Sequence, residues 1–536
     1  MKKSPLGNVI IGLFLSLGFA LQAQEVLKAP DRVRGEGPWN QLIIRGVTLI
    51  DGTLSPPLGP IDIVVEQNRI KSIHLVGALG SSAYSGEAAV LKPGGKELDA
   101  RGMYLMPGFV DTHFHIGGKK TGNAEYVFKL ALAHGVTTVR DPGSGNGLDW
   151  VLDQKERSRL NEITAPRIKA YQRFGNDGSK IDIPTTAQEA REWIRKTAKQ
   201  GADGIKDAGF EPEVISAAID EANKLGLGTM THHRQTMVGN WNVLHSARAG
   251  SKGMEHWYGL PEALFTDRRV QDYSRGYNYQ DEHDRFGEAG ELWAQAAPPF
   301  SEKWNAVMDE LLSYDYTLSP TFNVYEATRD LMAAQRREWQ EIYTLPSLWE
   351  FWSPTGKNHG SFWHSWGTEQ ETAWKENYKL WMIFVNEYKN RGGRVTVGTD
   401  AGSLYKLYGF SFINEMELLR EAGFHPLEVI EAATMNGAEN LGMEKEIGSV
   451  KVGKLADFVI VEENPLENLA SMYGTGTIEL QKDGTITRIG GVKYTIKDGI
   501  IYDAKQLLKD IETMVSKEKE RLDYQILQPG LEPSKL

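Results

Sequence analysis

Residues 106–115 read Met-Pro-Gly-Phe-Val-Asp-Thr-His-Phe-His, and this stretch decides the predicted fold. Its aromatic and β-branched residues favour a strand, and Pro107-Gly108 marks where that strand begins. Alternate side chains of a strand point to opposite faces, so His113 and His115 share one face and can direct two imidazoles to one point. This is the geometry of a metal chelate, although one such pair is weak support in a chain with 12 histidines.

Composition indicates an ordinary globular protein with room for a large core. The chain has 536 residues, of which 40% are hydrophobic and 24% are charged. A net charge of −11 argues against a nucleic-acid-binding surface. The protein has no cysteine, so a disulfide, a thiolate ligand and a cysteine nucleophile are all excluded. Any metal must therefore be held by nitrogen and oxygen atoms.

The N-terminal segment has the three parts of an export signal. Lys2 and Lys3 precede an apolar run over residues 9–21, and small and polar residues follow that run. A permanent membrane anchor is the alternative, but a spanning helix needs roughly 20 apolar residues. We therefore predict a signal peptide over residues 1–23 and an exported, periplasmic protein with no stable membrane insertion after cleavage.

The middle of the chain alternates strand and helix patterns. After the opening strand, further strand patterns occur at 135–141, 166–174, 202–207, 228–233, 252–257, 316–322 and 394–400. Strand and helix repeated eight times predict an α/β protein with a closed (β/α)₈ TIM barrel over residues 106–444. An open doubly wound sheet is disfavoured, because no Gly-rich dinucleotide turn follows an early strand.

Both ends of the chain carry short β patterns. Neither end alone has enough strands to bury two sheet faces, so we predict one small β-sandwich built from residues 40–105 and 445–503 together. Residues 504–536 are predicted to form a C-terminal helix and a tail.

Two insertions interrupt the barrel, at residues 260–300 and 323–390. The second contains seven tryptophans between Trp339 and Trp381. Both insertions follow strands on the side where barrel loops reach the active face, which favours a lid. The alternative, that the tryptophans pack a core of the insertion or a subunit interface, stays open.

Barrel enzymes place catalytic groups at the carboxyl ends of strands. The ligand-type residues predicted there are His113, His115, Lys206, His232 or His233, His256 and Asp400. Neutral imidazole binds zinc-like cations, and a carboxylate can both bind a metal and exchange a proton with water. An ammonium cannot bind a metal, so Lys206 either pairs with Asp207 or Asp141, or adds carbon dioxide to give a carbamate that bridges two metals.

These motifs together resemble the amidohydrolase superfamily, close to its imidazolonepropionase-like and dipeptidase-like group. The segments that carry the resemblance are 106–115, 135–141, 201–206, 231–232, 255–256, 398–400 and 448–457. The resemblance implies a binuclear site, with His113, His115 and Asp400 on one metal, His232 and His256 on the other, and carbamylated Lys206 as the bridge. It selects His232 over His233. Zinc is the default for such ligands, with manganese, cobalt and iron as alternatives.

The expected function is that of a metal-dependent hydrolase acting on carbon–nitrogen bonds other than regular peptide bonds. Its small-molecule substrate would be an amide or cyclic amide, including dipeptides and N-acyl amino acids, attacked by a metal-bridged hydroxide while Asp400 transfers the proton. Hydrolysis of an ester, lactone or phosphoester, or deamination, could use the same site. The alternative of another class is an exported ligand-binding protein with a structural metal. Whether subunits form a homo-oligomer is left open.

Overall fold

The computed structural model describes residues 26–77, 87–118, 121–176, 182–353 and 365–526. The predicted signal segment, residues 1–23, lies outside these residues, as do Trp363 and the last ten residues of the predicted tail. Across the described ranges, no helix is long and apolar enough to cross a membrane.

The described strands fall into two large sheets and a hairpin. They are β1 (Gln41–Leu49), β2 (Leu58–Glu66), β3 (Arg69–Leu75), β4 (Lys96–Asp99), β5 (Tyr104–Pro107), β6 (Phe109–Asp111), β7 (Val136–Asp141), β8 (Arg167–Arg173), β9 (Gly204–Asp207), β10 (Gly228–Thr231), β11 (Gly253–Glu255), β12 (Thr317–Ser319), β13 (Phe458–Val461), β14 (Thr477–Leu480), β15 (Ile486–Ile489), β16 (Val492–Lys497) and β17 (Ile500–Asp503).

Helices follow most strands of the middle segment. They are α1 (Ala124–Ala133), α2 (Leu148–Arg159), α3 (Ala187–Gln200), α4 (Pro212–Lys224), α5 (Val243–Arg248), α6 (Leu260–Ala263), α7 (Glu282–Ala289), α8 (Glu302–Ser313), α9 (Phe322–Arg329), α10 (Leu331–Gln335), α11 (Gln340–Tyr343), α12 (Pro346–Trp352), α13 (Thr368–Asn390), α14 (Phe410–Glu421), α15 (Pro426–Ala433), α16 (Met435–Asn440) and α17 (Ala504–Leu522).

The middle segment forms a curled parallel sheet of seven strands in the order β12-β11-β10-β9-β8-β7-β6. Its strands are buried on both faces, as in β7, where all six residues are buried. Such burial is typical of parallel strands covered by helices. The predicted eighth strand, 394–400, is not a regular strand, and its ladder contact is one parallel bridge between Val395 and Leu318.

The two ends of the chain meet in one eight-stranded sheet. Strands from β1 to β5 join β13, β16 and β17, with β5 paired antiparallel to β13. Instead of two separate sheets, one continuous sheet surrounds a shared hydrophobic cluster that includes Ile44, Ile63, Phe458 and Ile496. Within the predicted sandwich segment 445–503, β14 and β15 do not join this sheet, because they pair with each other in a separate hairpin.

The tryptophan-rich insertion packs into the main core. Trp374 and Trp381 on α13 are fully buried. The ring of Trp381 lies 4.4 Å from that of Phe322 and 6.0 Å from that of Trp257, which lies two residues after β11. These aromatic contacts hold α13 against the parallel sheet, so Trp374 and Trp381 serve as core residues.

Arg167, at the start of β8, joins the parallel sheet to the terminal sheet. Its guanidinium donates to the buried carboxylates of Asp457 and Asp498, the latter at 2.8 Å. We expect Arg167→Met to lower the free energy of unfolding by about 3 kcal/mol, because it leaves buried carboxylates without their main cation. Urea unfolding of the variant measures this loss. Arg159→Met, which breaks an exposed pair with Glu156, should cost less than about 1 kcal/mol; equal losses in the two variants would contradict the assignment.

Candidate metal centre

The predicted ligands stand where the parallel strands end. His113 and His115 follow β6, Lys206 lies in β9, and His232 directly follows β10. Backbone hydrogen bonds extend the strand pairing to these positions: the amide of His232 donates to the carbonyl of Asp207 at 2.9 Å, and the amide of Asp400 donates to the carbonyl of His113 at 2.8 Å. The sheet therefore directs these side chains to one end of the fold.

All six predicted side chains meet in one cluster. His113 Nε2 lies 3.4 Å from Asp400 Oδ1 and 3.1 Å from Lys206 Nζ. His115 Nε2 lies 3.3 Å from the same Asp400 oxygen. The ring of His256 lies 5.0 Å from that of His113 and 4.7 Å from that of His232. The sequence prediction that these residues lie together is thus correct, and their role as ligands stays a prediction.

The spacing of the donor atoms fits a divalent cation. Two ligands of a tetrahedral site with bonds of about 2.0–2.1 Å lie about 3.4 Å apart, which is the separation of Asp400 Oδ1 from both His113 Nε2 and His115 Nε2. A second group of nitrogen and oxygen donors within 4.8 Å of one another is His113, Glu255 and His256. The residues present therefore suit nitrogen- and oxygen-bound metal ions.

Protonation of the cluster also suits metal binding. Burial, followed by the charge of Lys206, lowers the pKa of His113 well below its ordinary value. Burial likewise lowers the pKa of His256 to about 4. Burial raises the pKa of Asp400, but the hydrogen bond and charge of His115 outweigh it and hold that pKa below its usual range. Neutral imidazoles and an ionised carboxylate are the forms that bind a cation.

Glu255 is a site residue that sequence reasoning missed. The buried Glu255 Oε2 lies 2.6 Å from Lys206 Nζ and 3.4 Å from His113 Nδ1, and Oε1 accepts a 2.6 Å hydrogen bond from Arg140. An unmodified Lys206 is predicted from the sequence to form an ion pair with Asp207 or Asp141. This prediction is wrong, because the carboxylate that contacts Lys206 is that of Glu255. The signal available in the sequence was that Glu255 directly precedes the predicted ligand His256.

Backbone conformation explains why adjacent residues reach the same centre. Neighbouring residues of a strand point to opposite faces, which would exclude either Glu255 or His256. However, His256 has a φ of +67° and Asp400 a φ of +48°. Such left-handed conformations cost of order 1–3 kcal/mol in a residue other than glycine and concentrate at functional sites. They redirect the two side chains into the cluster.

His233 lies outside the cluster. Its ring is buried, and Nε2 lies 2.9 Å from the hydroxyl of Ser246, which follows in α5. Preferring His232 over His233 thus agrees with the geometry, since the His232 ring faces His256.

A cavity of about 670 Å³ opens onto the cluster. Its wall includes five of the six predicted residues, all except the fully buried His113. The insertions add the side chains of Tyr279, Arg285, Phe286 and Tyr325 to this wall. Tyr258, two residues before the first insertion, also lines it. The cluster therefore has space beside it for a small molecule.

Solved structures share this fold at low sequence identity. A Xaa-Pro dipeptidase with bound methionine aligns with a TM-score of 0.57 and 18% identity, over 86% of this chain and 100% of that chain. Bottromycin amidohydrolase aligns with a TM-score of 0.60 and 19% identity, over 94% and 93% of the two chains. At these identities the likeness concerns the fold alone.

Curated relatives match over part of their length. Adenine deaminase of Moorella thermoacetica is 21% identical over 416 residues, which are 75% of this chain and 51% of that protein. Adenine deaminase of Bacillus licheniformis is 43% identical over 163 residues, 29% of this chain and 28% of that protein. The chain thus spans about half the length of the first relative and less of the second.

The sequence profile of the Amidohydrolase family matches residues 104–266 and 382–501. These ranges hold all six predicted ligands and leave out most of the tryptophan-rich insertion. The resemblance drawn from the sequence motifs is confirmed by this match. Because the profile covers more than half of its residues, the chain belongs to the Amidohydrolase family.

Proposed function

We propose that the protein is a metal-dependent hydrolase of a carbon–nitrogen bond in a small molecule, such as a dipeptide, an N-acyl amino acid or a cyclic amide. One observation carries the proposal: side chains at the ends of β6, β9, β10 and β11 meet Asp400 in one cluster beside an open cavity, and Asp400 Oδ1 lies 3.3–3.4 Å from His113 Nε2 and His115 Nε2. A purely structural metal would have all its positions filled by protein, whereas a catalytic one keeps a position open.

The proposal includes a closed (β/α)₈ barrel, with residues 394–397 as the eighth strand. On one side, the amide of Leu318 donates to the carbonyl of Arg394 and the amide of Thr396 donates to the carbonyl of Leu318, both at 3.0 Å. On the other side, the amide of Thr112 donates to the carbonyl of Val397 at 3.0 Å. These bonds to both ends of the seven-stranded sheet support closure.

The proposed roles follow the ligand types. His113, His115 and Asp400 would hold one cation, His232 and His256 the other, and Lys206 as a carbamate would join them. Zinc is the expected ion, and when bound it supplies Lewis acidity and lowers the pKa of water. Asp400 accepts the proton of the attacking water at a carboxylate oxygen and donates it to the leaving nitrogen.

Deamination is the second candidate, and the adenine deaminase relatives favour it. In that reaction water also attacks a carbon that carries nitrogen, and ammonia leaves. A panel of N-acyl amino acids, dipeptides, cyclic amides, adenine, lactones and phosphotriesters separates the candidates. Formation of a new amino group and a new carboxylate from a substrate of the first three classes supports the proposal, and ammonia release from adenine alone supports deamination.

Metal removal tests the dependence on cations. We expect dialysis against a chelator to abolish turnover of the best panel substrate while circular dichroism and the unfolding midpoint stay close to those of untreated protein. The fold persists because the cluster lies at the edge of an already packed core. Added zinc or manganese should restore turnover. Full activity with no detectable metal would contradict the proposal, and ligand binding without turnover would favour a binding protein.

A further inference from the structure

The cavity beside the cluster carries an excess of positive charge. Apart from the predicted ligands, the described residues of its wall include three cationic side chains, Arg173, Arg234 and Arg285, and no carboxylate. The protein as a whole has a net charge of −11, so the sign of the cavity is opposite to that of the molecule. Clefts lined by one sign of charge attract ligands of the other sign.

One of these cations already has an acidic partner, because Arg285 donates to Glu282 at 2.8 Å. Arg173 and Arg234, by contrast, form no ion pair with an acidic residue in the part of the chain that the structure describes. Their charge is thus available to a ligand.

The fold places these two arginines beside the predicted ligands. Arg173 ends β8 and is the register partner of Lys206 on β9. Arg234 comes two residues after His232, beyond the end of β10. The two arginines therefore follow the ends of β8 and β10, the two strands that flank β9, and both line the cavity.

A glycine with a positive φ lies close to each arginine. A side chain at Gly143, whose φ is +119°, would come within 2.9 Å of Arg173. One at Gly209, whose φ is +77°, would come within 3.2 Å of Arg234. A larger residue at either glycine would crowd the backbone or the first carbons of the arginine side chain, so the two loops leave room for Arg173 and Arg234 at these positions.

We propose that Arg173 and Arg234 together bind a carboxylate of the substrate, which rests on the proposed function and narrows it to amides that carry a free carboxylate, such as N-acyl amino acids and dipeptides. The planar guanidinium presents paired donors that match a carboxylate. Neutral cyclic amides and neutral bases have no carboxylate, so they would pair with neither guanidinium.

Binding of a matched pair of probes tests the proposal. The probes are N-acetyl-L-phenylalanine and its carboxamide, which differ by one charge, measured by calorimetry with metal-loaded protein. We expect the carboxylate to bind at least about 10-fold more tightly, since hydrogen bonds between charged groups are the stronger ones. The double variant Arg173→Gln, Arg234→Gln should lose this preference, and the double lysine variant should retain part of it. Arg159→Gln, which removes one charge from the exterior, should keep it.

Turnover of the same probes separates this inference from the proposed function. If the wild type binds the carboxylate preferentially but cleaves neither probe nor any other amide of the panel, the carboxylate site stands and the proposed function fails. If amides are cleaved without preference for the carboxylate, the proposed function stands and the site is wrong. Persistence of the preference in the double glutamine variant, or no binding of the carboxylate probe, also overturns the site.

Discussion

Asp400→Asn should lower turnover of the best amide substrate by about 10²–10⁴-fold, the usual contribution of a positioned general acid and base. Asp400 is ionised at neutral pH, since the hydrogen bond and charge of His115 outweigh burial and hold its pKa below the usual range. Asparagine keeps the shape and one oxygen but cannot accept the proton. It also tolerates the left-handed φ of +48° at this position, so the backbone stays in place.

The Asp400→Asn variant needs controls for metal and fold. Metal content by mass spectrometry and the thermal unfolding midpoint should remain close to those of the wild type, so that the lost step is proton transfer. Asp149→Asn makes the same change at an exposed residue of α2 and should leave turnover unchanged. Near-normal activity of the Asp400 variant with full metal content would contradict the role of Asp400 in proton transfer.

Lys206→Ala should lose both bound metal and activity, by about 10²-fold or more, since even residues behind the direct ligands change metal affinity by about 10–100-fold. Short carboxylates such as acetate or propionate should restore part of the activity by standing in for the carbamate. Lys206 is nearly buried, with Nζ 3.1 Å from His113 Nε2, so its removal opens space at the centre of the cluster.

The rival explanation for Lys206 is a plain ion pair. If Lys206 stays an ammonium paired with Glu255, its removal leaves that carboxylate with Arg140, and metal content does not change. Full metal occupancy in Lys206→Ala, or no rescue by short carboxylates, would therefore reject a carbamate bridge. Lys169→Ala, on neighbouring β8 and paired with Asp203, is the matched control and should keep metal and activity.

Regular patterns made much of the fold and the site predictable. Period-two alternation put His113 and His115 on one face, and their rings lie 5.3 Å apart. The alternation of strand and helix patterns predicted the parallel strands, and β patterns at both ends of the chain predicted a shared β structure. In each case a local rule of side-chain direction or burial agrees with the tertiary structure.

Other features depend on conformations that no pattern reveals. Side-chain alternation along β11 predicts that Glu255 and His256 point to opposite faces, so Glu255 was not predicted as a site residue. The left-handed conformation of His256 overrides this alternation. Arg173 was not predicted as a site residue, because a charged residue at a strand end is as often solvated as it is functional. Only the pairing of β8 with β9 puts Arg173 beside Lys206. The sequence of β15 has a strand pattern, but nothing in that pattern indicates that β14 is its partner.

The pairing of β5 with β13 also determines the order in which the molecule can fold. Pro107 pairs with Phe458, so about 350 residues separate the partners. At a synthesis rate of roughly 5–20 residues per second, β5 waits about 20–70 s on the ribosome before its neighbour emerges. During that time the edge of β5 is open to pairing with other chains. Assembly of this sheet is therefore a late event, and interrupted synthesis would leave an aggregation-prone fragment.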